Sequence, residues 1–262
     1  MIRVSRLSIA PVRSLGLLHP PSIDLTETGV LEDRRFYLAD EHGQLVDRIT
    51  AGRLVRVSSW TNPEATRLRL TFPDGAVIDG DAELGEPIAV DIYERHAVGH
   101  VVVGPWAAAL QPLAGRPVRL VRCDLPAGTR RRDGQVKNAV SVLSDGSLRR
   151  LAQELGQPSI DGRRFRMLIE VDGAEAHEED AWIGRRIGIG SAELGIVKAD
   201  ARCAITTQDP DTGERDLDTL RAIIAYRGLN AKRQALFGVL GEVATPGRVS
   251  VGDEVRVGSS AS

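Results

Sequence analysis

The residue best equipped for chemistry in this 262-residue chain is Cys203, in the run Lys198-Ala-Asp-Ala-Arg-Cys-Ala-Ile-Thr-Thr-Gln-Asp-Pro-Asp-Thr-Gly213. A thiolate is both a strong nucleophile and a soft-metal ligand, and the guanidinium of neighbouring Arg202 favours the ionised form. Taken alone, a free cysteine reads by default as a small buried apolar residue. Cys123 keeps that structural reading, because it ends the strand-like run Val118-Arg-Leu-Val-Arg122. His96 and His100 have the i, i+4 spacing with which a helix presents two metal ligands. Their Val and Gly neighbours point to strand and turn, and no third ligand stands at metal-site spacing, so both are read as ordinary histidines. His177, in the acidic run Ala174-Glu-Ala-His-Glu-Glu-Asp180, is read as solvated, the alternative being a proton donor over a pocket. Ser144-Asp-Gly-Ser147 places oxygens where a helix N-cap needs them, and the free N–H groups of such a terminus can also hold an anion.

The elements that must position these residues are mostly short, rich in Val, Ile and Leu, and bounded by Gly, Pro or Asp. Strands are expected at Arg3–Ile9, Arg35–Ala39, Leu68–Phe72, Ile88–Tyr93, Val118–Arg122, Arg166–Val171, Arg186–Ile189, Ala192–Lys198 and Arg248–Val257. Hairpin turns are expected at Asp40-Glu-His-Gly43 and Phe72-Pro-Asp-Gly75. Helical spacing is confined to Trp106–Leu113, Ser147–Leu155 and Asp216–Tyr226, the last with Leu217, Leu220 and Ile224 on one face. The arginine-rich segment Gly128-Thr-Arg-Arg-Arg132 reads as a boundary loop or the edge of an anion site. The expected fold is α+β and mostly β: two barrel-like domains, residues 1–122 and 123–258, with a few helices and a frayed tail at 259–262.

Thirty-four basic against 36 acidic residues leave a net charge of −2, which argues for neither nucleic acid nor an anionic membrane as partner. No apolar run approaches the roughly 20 residues a membrane helix needs. Two widely separated cysteines and no signal-peptide-like start fit a reduced, cytoplasmic protein. Two cysteines cannot hold a four-thiolate cluster, and no GxGxxG follows a strand, so no iron–sulfur cluster, haem or flavin of its own is expected. No lysine has a recognisable Schiff-base context, so pyridoxal phosphate is not expected either.

Placed in order, several runs resemble one family. Arg202-Cys-Ala-Ile-Thr-Thr-Gln-Asp-Pro-Asp-Thr-Gly213, with Leu220 and Tyr226-Arg227, is similar to the signature of the MOSC (molybdenum cofactor sulfurase C-terminal) domain. Ala10-Pro-Val-Arg-Ser-Leu15 and Gly29-Val-Leu-Glu-Asp-Arg-Arg-Phe-Tyr37 resemble the β-barrel domain that precedes it in the amidoxime-reducing branch. The resemblance implies a pterin-based molybdenum cofactor (molybdopterin) in a cleft between the domains, with Cys203 as thiolate ligand to the metal. It implies cofactor contacts from Arg13 and Ser14, from Arg34 or Arg35, from Ser144, Ser147 and Arg166, and from Arg202. Strand alternation admits only one of Arg34 and Arg35 to the site, with Arg35 preferred.

The implied activity is reduction of N-hydroxylated small molecules, with electrons from a separate ferredoxin-type or flavoprotein partner. The alternative is a cofactor or sulfur carrier without turnover. Three departures stand out: Met167-Leu168 where the family has Pro-Asn, Asp200 where a second cysteine is common, and Val239-Leu240 where an aromatic can follow Phe-Gly.

Overall fold

A computed structural model describes residues 1–92, 95–123 and 139–260, with the side chains of 90–97 and 259–260 left aside. The Gly128–Arg132 segment, Tyr93 and the His96 side chain therefore lie outside the described residues.

The larger sheet has seven strands in the order Arg3–Leu7, Ile169–Asp172, Val140–Ser144, Ala235–Thr245, Ala192–Arg202, Arg185–Ile189 and Val255–Ser260. Its two ends meet, because Arg3 bridges Glu254 while the amides of Val4 and Val255 donate to the carbonyls of Asp253 and Ile2. A sheet closed this way has no edge to protect. Alternating Val, Leu and Ile from these strands fill its interior, where Val4, Leu7, Ile169, Val171, Ile187, Ile189 and Leu194 are at most 2% exposed. The first strand therefore belongs with the second half of the chain. So does the second strand, Ser22–Leu25, which pairs with Gly247–Ser250.

The N-terminal half otherwise builds a five-stranded sheet in the order Leu45–Val46, Phe36–Ala39, Arg119–Cys123, Arg95–Val102 and Leu84–Ile92, beside a meander of Ser58–Thr61, Arg67–Thr71 and Val77–Asp81. Both expected hairpin turns are present. The carbonyl of Phe72 accepts from Gly75 N–H, and the Asp40 carboxylate accepts from the amides of His42 and Gln44.

Three helices are present among the described residues: α1 Trp106–Ala114, α2 Asp145–Glu154 and α3 Thr219–Arg227. In α3 the buried residue is Ile223, while the expected Ile224 is exposed; Leu217 and Leu220 pack against the same cluster as expected. The expected strand Arg166–Val171 begins only at Ile169; Arg166 itself caps a 3-10 turn with a φ of 53°. Arg248–Val257 is two strands separated by a turn, Gly247–Ser250 and Val255–Ser260. Cys123 is buried with Tyr37, Ala39 and Val121, in keeping with its structural reading.

Candidate functional site

The strand Ala192–Arg202 delivers Cys203 at its end, where the chain turns into a single 3-10 turn, Ala204–Thr207. The Cys203 carbonyl accepts from both the amide and the hydroxyl of Thr206, at 3.3 and 3.2 Å, which fixes the backbone and leaves the thiol exposed. Arg202 turns the other way and is buried. It donates to the Phe237 carbonyl (2.7 Å), the Phe165 carbonyl (3.2 Å) and the Met167 sulfur (2.7 Å), pairs with Asp200 (2.8 Å), and lies over the Phe165 ring. Burial lowers the pKa of Arg202, opposed by the charges of Asp200 and Cys203; burial raises that of Asp200, opposed first by Arg202. Met167 and Asp200, two of the departures from the family pattern, are thus partners of this arginine. Leu168 fills the larger core.

By gripping Phe165 and Met167, Arg202 fixes the residue between them. Arg166 sits in the left-handed backbone region, donates Nη2 to the Leu15 carbonyl at 2.8 Å, and accepts on its own carbonyl from Arg34 Nη2 at 3.1 Å. Ser14 and Arg34 also have positive φ, 75° and 53°. Non-glycine residues avoid this conformation, and three of them at one junction mark a place where surrounding structure enforces a strained arrangement. Burial, then the neighbouring charges of Arg48 and Arg34, push the pKa of Arg166 well below its ordinary value, with Arg13 adding a smaller push. Arg166, Arg34, Arg13 and the Arg202–Cys203 strand end therefore converge from four segments.

Arg34, paired with Asp33, is the arginine that contacts Arg166, whereas the sequence favours Arg35. Arg35 is buried and donates to the Leu31 and Pro63 carbonyls; both arginines precede the strand Phe36–Ala39, and the left-handed turn residue Arg34 is the one aimed at Arg166. Ser144 and Ser147 are also fully buried, and their hydroxyls donate to the Glu179 carboxylate at 2.6 and 2.7 Å. Ser144 also caps α2 by accepting from Ser147 N–H. Their polar capacity is spent inside the fold.

His177 belongs to the same network rather than to solvent. Its Nδ1 accepts from Arg227, which leaves Nε2–H to donate to the Tyr226 hydroxyl at 3.2 Å. Burial, aided by Arg227, lowers its pKa to about 4.

One arginine that no motif singled out is Arg48. It is 1% exposed; its carbonyl accepts from Gln208 Nε2 at 2.6 Å and its Nη2 donates to the Asp209 carbonyl at 3.3 Å, tying it to the loop after Cys203. Beside it Gly52 and Gly213 bring their backbones together. A Cβ on Gly213, which has a φ of 77°, would lie 2.0 Å from the Gly52 carbonyl oxygen, so no larger residue fits the Asp-Thr-Gly turn.

The MOSC domain profile matches residues 129–256, and that of the MOSC N-terminal beta barrel domain matches residues 1–97. The chain belongs to the MOSC family. Mitochondrial amidoxime-reducing component 1 from Mus musculus and from Homo sapiens are each 26% identical to this MOSC protein over 96% of it, with 81% and 82% of their own lengths covered. Molybdenum cofactor sulfurase from Anopheles gambiae is 28% identical over 84% of the chain, which spans 32% of that longer protein. Among the described residues no helix of this MOSC protein is long and apolar enough to cross a membrane.

Proposed function

We propose that this MOSC protein is a molybdenum-cofactor-dependent oxidoreductase that reduces N-hydroxylated compounds, such as amidoximes and N-hydroxylated bases, with electrons from a separate ferredoxin-type or flavoprotein donor. The observation that carries the reading is the exposed Cys203 thiol at a rigid strand end, beside arginines converging from both halves of the chain. The relatives named as amidoxime-reducing components, aligned over nearly the whole chain, support the reaction class. Among the described residues no group of three or more His, Cys, Asp and Glu could hold a metal, so a metal at Cys203 needs ligands that a cofactor brings.

The residues present fit such a group. Cys203 offers one soft anionic sulfur, and Arg13, Arg34 and Arg166 offer positive charge to an anionic pterin phosphate. Arg166 keeps a buried Nη1 with no acceptor among the described residues. Ser14 brings its hydroxyl to the same turn. When bound, the cofactor supplies the two-electron redox chemistry. Arg202 acts as a positioning residue, holding Phe165 and Met167, while Ser144 and Ser147 brace α2 against Glu179. Two free cysteines suit a reducing, cytoplasmic setting.

The test is molybdenum content of protein purified from a cofactor-competent host, beside Cys203→Ser and Cys203→Ala. Both variants are expected to lose most of their metal, and full occupancy in both overturns the ligand role. Amidoxime turnover with a chemical reductant then separates the enzyme from a carrier. The carrier reading draws on the same exposed thiol, which could bear a persulfide, and on the sulfurase relative. Cofactor transfer without turnover would favour it.

A further inference from the structure

Behind Arg166 lies a partly open cleft of about 180 Å³, walled by Gly16 and Leu17 from the N-terminal half and by Pro210 and Asp211 from the loop after Cys203. Arg48, Arg56, Arg163 and Arg166 line it with Ser58. Four guanidinium groups against the one carboxylate of Asp211 give the lining a formal charge of +3. Arg163 is accounted for, since it pairs with Asp161 and Asp211, and Arg56 stands at the exposed rim. Arg48 and Arg166 are not accounted for. Among the described residues Nε and Nη1 of Arg48 and Nη1 of Arg166 are buried without acceptors, and the two cations repel one another, with the charge of Asp209 opposing on Arg48 and that of Asp33 on Arg166. Burial lowers the pKa of Arg48 only to about 10, so it remains charged at neutral pH. A buried donor without a partner is costly and a buried unpaired charge more so, which makes such a pair in a cavity a socket for an anion.

We propose that this cavity is a binding site for a phosphate group, with Arg48 as its principal ligand and Arg166 as the second. The forked donors of two guanidiniums match the oxygens of a tetrahedral dianion. The site is separate from the Arg13-Ser14 turn, neither residue of which lines it. The occupant is a phosphate group other than the pterin phosphate assigned above to Arg13, Arg34 and Arg166, and occupation by the cofactor's own phosphate is an outcome of the test.

The test uses the full chain, made in a host unable to synthesise the cofactor and titrated calorimetrically with inorganic phosphate. Wild type is expected to bind saturably at millimolar concentrations or below. Arg48→Met is expected to bind at least tenfold more weakly, and the rim variant Arg56→Met within about threefold of wild type. Phosphate should raise the melting temperature of wild type and of Arg56→Met, and leave that of Arg48→Met unchanged. Absence of saturable binding to wild type, or unchanged binding by Arg48→Met, overturns the site. Should Arg48→Met fail to fold, Arg48→Gln and Arg166→Lys carry the same comparison. Cofactor-loaded protein distinguishes the sources: lost phosphate binding means the cofactor fills the cavity, and retained binding means a separate phosphate ligand. Molybdenum content of the Cys203 variants is read independently, so failure of either idea leaves the other measurable.

Discussion

Cys203 shows how little a residue's own type says about its use. Its thiol is exposed while Arg202, one residue earlier, is buried and occupied by two carbonyls, a thioether and a carboxylate. The sequence marks both as candidates for a cofactor; the thiol is exposed, whereas the Arg202 guanidinium is engaged within the fold. Arg48 was not found at all, because its significance lies in unmet donors beside Arg166, more than a hundred positions away, and no local pattern records that. The sequence makes His177 look solvated because six acidic or small residues surround it; its half-buried ring instead packs against Tyr226, Phe237 and Arg227. This has a pH consequence. With a folded pKa near 4 against an ordinary 6.5, the unfolded chain takes the proton first, so the contribution of His177 is present above about pH 6.5 and lost as pH falls toward 4. Thermal unfolding of His177→Gln across that window should show a smaller acid-side fall in melting temperature than wild type; parallel curves would remove His177 as the cause.

Local elements were legible where one segment contains its own instructions. The cap Ser144, the turn glycines Gly43 and Gly75, and the leucines of α2 all act within a few residues, and the structure agrees with the reading there. Arg166 was misread as strand because the run Arg166–Val171 has strand composition, whereas a left-handed residue is enforced by distant partners, the Leu15 carbonyl and Arg34. Two element-level predictions follow from buried contacts. Ser144→Ala removes the cap of α2 and one of the donors to Glu179, and should cost about 1–3 kcal/mol, a fall of roughly 3–9 °C in melting temperature. Gly238→Ala should displace Arg202, since a Cβ there meets Met167 Cε at 2.8 Å and Arg202 Nη2 at 3.3 Å, on a backbone with a φ of 75°. Loss of bound molybdenum in soluble Gly238→Ala would report that displacement; full retention would show that the arginine's position does not matter for loading.

At the scale of the molecule, composition and strand count conveyed the class, mostly β with few helices, but not how the halves share strands. The first strand closes the larger barrel against Ile169–Asp172 and the segment at Glu254, and the second pairs with Gly247–Ser250. Pairings this distant leave no periodicity to read. A fragment of residues 129–256, although it spans the matched domain, should therefore be poorly soluble, with its barrel open along the Ile169–Asp172 edge. Co-expression with residues 1–31 should restore solubility, and a soluble, cooperatively melting fragment without it would refute the dependence. The same arrangement also sets an order of events during synthesis. At roughly 5–20 residues per second, Arg3–Leu7 waits on the order of ten seconds for Ile169–Asp172 and longer for Val255. Until then Val4 and Leu7 have no core to enter, and the nascent chain presents an unpaired apolar strand to whatever chaperone meets it. Closure of the larger barrel around Arg3–Leu7 therefore waits until Val255 has been made.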